Sequence, residues 1–294
     1  MYRENFALIT TVYNEGDNIL TFLDSYYHQT CYAEEFIIVD GGSIDQTVVL
    51  IKEYAQKYPC LNIKLFVDDE CQKKKTIAPI AKGRNVAINH TNCKYIAVTD
   101  AGCKLDRKWF EEISAPFGNN EIKAVCGYYI VNAGTQFEKE FAHIFQPEGD
   151  NFLPSSRSIA FQRELWEKVG GYPEMSYTAE DTLFDMNIKN IGVDFYRASS
   201  AIVYWTFAKS ESELYKKLKE YGRGEGQLLI YKRKALFRFL CLLFPFLIIF
   251  KKMYSKKKIS FSVIYRFYYY QTVGYLNGVY LYFIKGKQWS THIF

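Results

Sequence analysis

No acidic residue occurs after Glu225, so the last 69 positions of this 294-residue chain carry basic charge alone. No two of the seven cysteines (Cys31, Cys60, Cys71, Cys93, Cys103, Cys126, Cys241) are spaced C-x-x-C, and the set is odd. They read as reduced structural thiols of a cytoplasmic protein rather than a disulfide framework. No G-x-G-x-x-G follows the first strand-like run, which weighs against a dinucleotide-dependent oxidoreductase. The most apolar run, Leu236 to Phe250, contains Arg238 and Pro245 and falls short of the ~20 residues of a comfortable membrane span. Residues 1–20 hold no signal peptide, since the charged Met1-Tyr2-Arg3-Glu4-Asn5 leads straight into a short β-type run. The N-terminal region is therefore expected in the cytoplasm. Internal repeats and low-complexity stretches are absent too.

What is present is a foldable composition, 49% hydrophobic and 23% charged, in a chain long enough to bury a substantial core. Residues 1–207 carry 20 Lys/Arg against 28 Asp/Glu, a net −8, whereas residues 208–294 carry 17 against 4, a net +13. We divide the chain accordingly into a domain over 1–207 and a basic, aromatic-rich helical region over 208–294. In the second, Lys232-Arg233-Lys234, Arg238 and the Lys251 to Lys258 cluster border Leu/Phe/Ile runs. That mixture suits anionic lipid better than nucleic acid, and cations on both flanks of the apolar run favour a peripheral or re-entrant pair of helices at the cytoplasmic face of the membrane. Ile259 to Ile284, with Tyr268-Tyr269-Tyr270, suits a headgroup interface, or a helical hairpin packed on the first domain or on another subunit.

Along the first domain the pattern is strand, loop, helix, repeated. Phe6 to Val12 is apolar and β-branched and stops at Tyr13-Asn14-Glu15-Gly16, after which Asp17 is placed to cap a helix carrying Ile19, Leu20 and Leu23. Glu35 to Val39 ends at Asp40-Gly41-Gly42-Ser43, with Ser43 and Gln46 spaced as a capping box. Ile63 to Val67 is a third strand, Lys82-Gly83-Arg84-Asn85 leads into or lies within a helix ending near His90, and Tyr95 to Thr99 is a fourth strand broken at Asp100-Ala101-Gly102. Further strands are expected at Ala124 to Val131, Ser158 to Phe161 and Val193 to Tyr196, with a helix over Asp181 to Asn190. The fold class is α/β, a largely parallel sheet with helices on both faces, whose ligands bind beyond the carboxyl ends of the strands.

Asp40 and Asp100 fall at such ends. Glycines beside Asp40 let backbone approach a ligand while the carboxylate accepts from base N–H or ribose hydroxyl, or the segment is simply a capped tight turn. Asp100 is placed to bind a divalent cation bridging diphosphate oxygens, or is an Asp-Gly-type turn. Glu180-Asp181 opens a helix, where an acid can serve as general base or Thr178 and Asp181 can form a capping box. Lys82 and Arg84 flank a glycine and can contact phosphate or form an ordinary basic turn.

Taken in order, Thr11-Val12-Tyr13-Asn14-Glu15, Ile38-Val39-Asp40-Gly41-Gly42-Ser43-Ile44-Asp45-Gln46-Thr47, Lys82-Gly83-Arg84-Asn85, Thr99-Asp100-Ala101-Gly102-Cys103, Gly170-Gly171-Tyr172 and Glu180-Asp181 resemble glycosyltransferase family 2, of the membrane-associated bacterial or archaeal type. The resemblance covers roughly residues 5 to 206. It implies the GT-A fold, a nucleotide-diphosphate sugar donor, inversion at the anomeric carbon, and a glycan or lipid-linked acceptor in polysaccharide or glycoconjugate synthesis. Carried over by position, Thr11, Tyr13-Asn14-Glu15, Asp40, Gly41 and Ser43 would receive the nucleoside. Lys82, Gly83, Arg84 and Asn85 would support the donor loop, Asp100-Ala101-Gly102 would face diphosphate and Mg2+ or Mn2+, and Asp181 would be the catalytic base with Glu180 beside it. Tyr221 to Gly226 looks like an arginine-containing segment of membrane-associated relatives, which would bring Arg223 to diphosphate, or else Arg223 is an ordinary helix-surface arginine. Three departures stand out: Gly102 replaces the second aspartate of the metal motif, Gly41 replaces a frequent aspartate, and no proline precedes Tyr13. The first of these motivates a rival reading as a non-catalytic nucleotide-sugar-binding or regulatory subunit of the same fold.

Overall fold

A computed structural model describes residues 2–147, 152–206, 208, 210–253 and 259–289. In chain order the elements are β1 (Tyr2–Val12), α1 (Ile19–Tyr27), β2 (Tyr32–Asp40), α2 (Thr47–Lys57), β3 (Ile63–Val67), α3 (Pro79–Asn89), β4 (Tyr95–Val98), β5 (Cys103–Leu105), α4 (Trp109–Ser114), β6 (Ala124–Asn132) and α5 (Gln136–Phe145). There follow β7 (Ile159–Gln162), α6 (Arg163–Lys168), α7 (Glu180–Asn190), β8 (Tyr196–Thr206), α8 (Glu211–Gln227), α9 (Lys232–Leu243), α10 (Phe246–Met253) and α11 (Phe261–Trp289).

The chain separates into two compact units. The first comprises residues up to Ile130, Pro147–Glu174 and Asp181–Trp205. Its sheet runs β3-β2-β1-β4-β7-β6-β8-β5, parallel through β3-β2-β1-β4 and antiparallel where β7 joins β4 and β6 and where β8 joins β5. The expected parallel sheet is thus one half of a mixed sheet. Leu8, Ile9, Ile37 and Ile38 have no solvent exposure, so both sheet faces are covered and the strands read as continuous apolar runs rather than alternating ones. Within the core, Ala81, Ala87 and Ile88 of α3 and Phe184 and Ile188 of α7 pack with Ile9, Val98 and Phe161 of the sheet.

Several local expectations change. Asp17 does not cap α1; Asn18 and Ile19 donate their N–H groups to the Glu15 carbonyl instead. The Ser43–Gln46 capping box does not form, because Ser43 is engaged by Asp40 and Asn14, while the Asp45 carboxylate accepts from Thr47 N. The last strand begins at Tyr196, so Val193 to Phe195 lie outside it. Six of the seven cysteines are buried and none is in a disulfide, and burial pushes the Cys71 and Cys126 thiols up to about 12 and about 11. Burial disfavours the reactive thiolate at these two positions, which fits structural thiols.

The second unit gathers Val131–Gln146, Met175–Glu180 and the chain from Thr206 onward. Its centre is the pair α8 and α11, each with glycines four apart. A Cβ at Gly222 or Gly226 would lie 2.2 Å from the carbonyl oxygen of Gln271 or Tyr275, and one at Gly274 or Gly278 would lie 2.1 Å from that of Lys219 or Arg223. Only glycine permits this approach of two backbones. The run Leu236 to Phe250 is divided into α9 and α10 at Phe244-Pro245. Arg238 is 6% exposed, ion-paired to Glu225 at 2.6 Å and bonded to Gln271, so it faces the interior of this unit. Among the described residues no helix is long and apolar enough to cross a membrane. Lys256, Lys257 and Lys258 lie outside the described residues.

Candidate active site

The register Val12↔Asp40 ends β1 and β2 side by side, so their following loops leave from one edge. Hydrogen bonds then tie the loops together. Asn14, in the left-handed region at φ 53°, donates from N to Ser43 Oγ at 2.8 Å and accepts from Ile44 N at 3.0 Å. Glu15 N donates to Thr47 Oγ1 at 2.8 Å and Gly16 N to Asp45 Oδ2 at 3.0 Å. Asp40 has no exposure. Its carboxylate accepts from Gly42 N at 2.9 Å, Ser43 N at 2.8 Å and Ser43 Oγ. These bonds shape the loop that follows β2. Gly41 N donates to Val12 O, and a Cβ there would lie 3.3 Å from the Cys71 carbonyl oxygen. Tyr13 is 51% exposed on the rim.

The Lys82-Gly83-Arg84-Asn85 segment lies inside α3, so successive side chains leave the helix in different directions. Lys82 approaches Glu70 at 3.8 Å. Gly83 packs on Thr11 so closely that a Cβ would meet Thr11 Cγ2 at 2.8 Å. Arg84, 3% exposed, donates from Nη2 to Asp100 Oδ1 at 2.8 Å and lies 5.2 Å from the Tyr172 ring centroid. Asn85 clamps the Gly170-Gly171-Tyr172 turn, accepting from Tyr172 N and Trp166 Nε1 and donating to Tyr172 O and Glu174 Oε1. That turn needs such a clamp, since Gly170 and Gly171 both have positive φ, 77° and 82°. Arg84 and Asn85 thus tie α3 to the end of β4 and to the Gly170-Gly171-Tyr172 turn.

Asp100 closes β4 in a turn where Cys103 N donates to Asp100 O at 3.0 Å. Ala101 is buried, while a Cβ at Gly102 would meet nothing within 4 Å. A second arginine reaches the same carboxylate: Arg157 Nε lies 4.0 Å from Asp100 Oδ2. The Arg157 guanidinium lies 3.7 Å from the Trp205 ring centroid and 5.3 Å from that of Tyr129. Nothing in Ser155-Ser156-Arg157-Ser158 marks this residue in the sequence; it has no periodic pattern, and only the pairing of β7 with β4 brings it to Asp100.

Asp181 begins α7 after Ala179, a non-glycine residue at φ 67°. Its Oδ1 accepts from Thr182 N at 2.7 Å. The charges of Asp181 and Arg157 both act on the Tyr129 hydroxyl, and those of Asp100, Arg157 and Glu15 all act on Cys103, so these groups share one neighbourhood. One turn beyond Asp181 is Asp185, fully buried with neither carboxylate oxygen hydrogen-bonded. Burial first, and then the Asp181 charge, push its pKa well above the usual carboxylate range, against Arg84, Lys189 and Arg197. It was not singled out in the sequence, although an acid amid Leu183, Phe184, Met186 and Ile188 is the signal that identifies it. Glu180 is buried at 5% exposure. Arg223, in the helical unit, pairs with Glu220 at 2.8 Å.

Asp100 is the one carboxylate of its turn, and the described residues contain no group of three or more His, Cys, Asp or Glu able to hold a metal. With Oδ1 taken by Arg84, it fits a divalent cation as a single protein ligand. The remaining ligands would be diphosphate oxygens and water, a common arrangement for Mg2+.

A family model described as glycosyl transferase family 2 matches residues 7–177. The glycosyltransferase AglE of Haloferax volcanii is 23% identical over 241 residues, 79% of this chain and 76% of that protein. The O-antigen chain rhamnosyltransferase RfbN of Salmonella typhimurium is 23% identical over 214 residues, 67% of this chain and 65% of that protein. Among solved structures, the mannosyltransferase PcManGT from Pyrobaculum calidifontis, in complex with GDP-Man and Mn2+, superposes with TM-score 0.60 at 17% identity, covering 99% of this chain and 75% of that one. Residues 1–349 of S. aureus TarS, in complex with UDP-GlcNAc, superpose with TM-score 0.56 at 16% identity, covering 98% and 76%. The fold is therefore GT-A.

Proposed function

This chain belongs to glycosyl transferase family 2, and on that footing we propose that it is an inverting, hexosyltransferase-like enzyme of polysaccharide or glycoconjugate synthesis. It moves a sugar from a nucleoside-diphosphate donor to a hydroxyl of a glycan or lipid-linked acceptor. The observation that carries this reading is the convergence at one sheet edge of the loops after β1, β2 and β4, with Arg84 joined to Asp100 and with Asp181 at the head of α7. The linked loops 13–16 and 41–47 form a rigid rim for the nucleoside, with exposed Tyr13 offering a ring face to the base.

In the transfer step Asp181 takes the proton of the acceptor hydroxyl. The acceptor oxygen forms its bond to the anomeric carbon on the face opposite the diphosphate. The bond from that carbon to the diphosphate breaks, its electron pair leaving with the nucleoside diphosphate. Fixed positive groups that meet this developing charge lower the barrier because they need no reorganisation as the bond breaks. A divalent cation, Mg2+ or Mn2+, would be held by Asp100 and the diphosphate and would supply part of that charge.

The helical unit supports membrane association at the cytoplasmic face. Leu236, Phe239, Leu243, Phe246, Ile249 and Phe250 of α9 and α10 are all more than a third exposed, and Lys232, Arg233 and Lys234 are exposed at the start of α9. An apolar surface of this kind, bordered by cations, suits an anionic lipid surface and hence a lipid-linked acceptor.

Thermal-shift titration with UDP-, GDP- and dTDP-sugars, with and without Mn2+, tests the donor class. Asp181→Asn should keep the donor-induced shift and abolish transfer, because the amide keeps shape and loses basicity. Full transfer by that variant overturns the assignment.

A further inference from the structure

We propose that Thr178 and Gly224 are positioning residues for the transfer step, holding the chain that enters α7 so that Asp181 meets the acceptor hydroxyl. The proposal rests on the transferase reading with Asp181 as base, and adds to it the device that sets where that base stands. Met175–Glu180 belongs to the helical unit, and the chain leaves that unit at Asp181. The short segment before the base is therefore held by α8. Thr178, 9% exposed, donates from Oγ1 to the Glu220 carbonyl at 2.8 Å. One turn along the same face of α8, Gly224 leaves room for the Thr178 backbone. A Cβ at Gly224 would lie 2.2 Å from Thr178 O and 2.3 Å from Thr178 Oγ1, so any side chain there must displace the segment or the helix. A further bond, from buried Ser176 Oγ to Thr178 O at 2.8 Å, closes the segment on itself.

Ala179 records the effect of this docking on the backbone. It stands between docked Thr178 and Glu180-Asp181 at φ 67°, a left-handed conformation that is costly for a residue with a Cβ. Such strain persists only where the surroundings over-determine it. Here they do: Thr178 is pinned to α8 on one side, and on the other Glu180 is buried and already the first residue of α7. A glycine would adopt the turn without cost but would also leave it; alanine has fewer alternatives and so transmits the position of Thr178 to the head of α7. A shift at Thr178 reaches Asp181 within three residues. Proton transfer requires the acceptor hydroxyl within hydrogen-bond reach of the base, so a displacement of about an ångström costs turnover. The donor side is built on the loops after β1, β2 and β4, so turnover should fall while donor affinity is kept.

Hydrolysis of UDP-glucose, UDP-N-acetylglucosamine, GDP-mannose and dTDP-rhamnose in MnCl2 gives kcat on the intact chain. Water stands in for the acceptor: it gives its proton to Asp181 and its oxygen to the anomeric carbon, while the nucleoside diphosphate leaves with the electron pair. Calorimetric titration of the matching nucleoside diphosphate gives affinity. Gly224→Ala should lower kcat roughly 100-fold, the scale of an ångström's misplacement, with diphosphate affinity within about twofold of wild type. Thr178→Val, which keeps the shape and loses the donor, should lower kcat about fivefold, the scale of one neutral hydrogen bond, and Thr178→Ser should recover it. Ala179→Gly, relieved of the left-handed strain, should melt higher and yet turn over more slowly, a pair of changes that a merely structural role would not produce. Unchanged kcat in any of Gly224→Ala, Thr178→Val and Ala179→Gly overturns the proposal, as does a Thr178→Ser as slow as Thr178→Val. An equal fall in kcat and diphosphate affinity also overturns it, since the segment would then prop the whole site. If Gly224→Ala does not fold, Thr178→Val is judged by the same criteria. A wild-type chain that hydrolyses none of the four donors, or an Asp181→Asn variant as fast as wild type, removes the transferase reading itself, a result distinct from unaltered turnover at Thr178 and Gly224.

Discussion

Arg84 reaches out of the interior of α3 and bonds the Asp100 carboxylate at 2.8 Å, so a helix residue and a strand-end residue sixteen positions apart form one unit of the site. Its guanidinium also lies against Tyr172, which stacks on Phe184 of α7 with centroids 4.1 Å apart. One side chain therefore links the end of β4 to the helix that bears Asp181. Arg84→Met should cost about 1–2 kcal/mol, a charged hydrogen bond discounted because Asp100 is a third exposed. Arg84→Lys should rescue little, since an ammonium cannot both stack on Tyr172 and donate to Asp100 as the planar group does. Thermal melts of the two variants check both statements.

Gly102 is open. A Cβ meets nothing within 4 Å and its φ lies outside the left-handed range, so a side chain can be added without displacing a neighbour. Gly102→Asp should change stability by less than about 0.5 kcal/mol. It should raise Mn2+ affinity in the presence of nucleoside diphosphate, because it adds a carboxylate to a turn that has one. Calorimetric Mn2+ titration of the diphosphate complex is the measurement, and unchanged metal affinity would show that this turn does not face the diphosphate.

The parallel half of the sheet was legible because β1, β2 and β4 carry apolar runs buried on both faces that stop at polar turn residues (Asn14, Asp40, Asp100), a pattern of run and break that belongs to the strand itself. β8 was not. Its burial alternates irregularly, exposed residues such as Tyr196 dilute the signal, and its first residue is where the expected strand was to end. Asn85 could be named as part of the donor-side motif but not as the clamp of Gly171-Tyr172, because that bond crosses 87 positions. Arg157 was illegible for the same reason. A residue's neighbours in the chain report propensity, whereas its task here is set by strands that pair far along the sequence.

Asp185 makes stability depend on pH with a defined sign. Its folded pKa is raised above the ordinary 3.8, so the folded protein keeps the proton while the unfolded chain releases it. Stability is therefore highest below the unfolded pKa and is lost as pH rises from there towards the folded pKa. Asp185→Asn keeps the shape and cannot ionise, so its advantage over wild type should grow between pH 4.5 and pH 7.5. Urea unfolding at the two pH values measures this, and a constant difference would place an ionised carboxylate at Asp185.

Gly226 and Gly278 interlock α8 and α11 at distances no Cβ occupies, 2.2 Å and 2.1 Å from the facing carbonyl oxygens. Gly226→Ala or Gly278→Ala should therefore push the helices apart and cost about 1–3 kcal/mol, in the range of overpacked cores. Gly102→Ala, with open space around it, should cost little and serves as the control. Differential scanning calorimetry reads the loss.

The same interlock decides how membrane association is best tested. Cutting the chain after residue 230 would remove α11 and strip the face of α8 that it covers, so altered flotation would report unfolding as readily as lost lipid contact. Substituting exposed cations avoids this. Lys232, Arg233 and Lys234 are all solvent-exposed, unlike buried Arg238, and each basic residue near an anionic bilayer contributes about 1 kcal/mol. The triple change to Gln should weaken partition onto phosphatidylserine-containing vesicles roughly 100-fold while leaving the melting temperature and nucleotide binding unchanged. Raising the salt concentration should reproduce part of the loss, because surface charges are screened within about a nanometre. If the triple variant floats with vesicles as wild type does, the apolar surface of α9 and α10 holds the protein there without help from charge, or faces another protein.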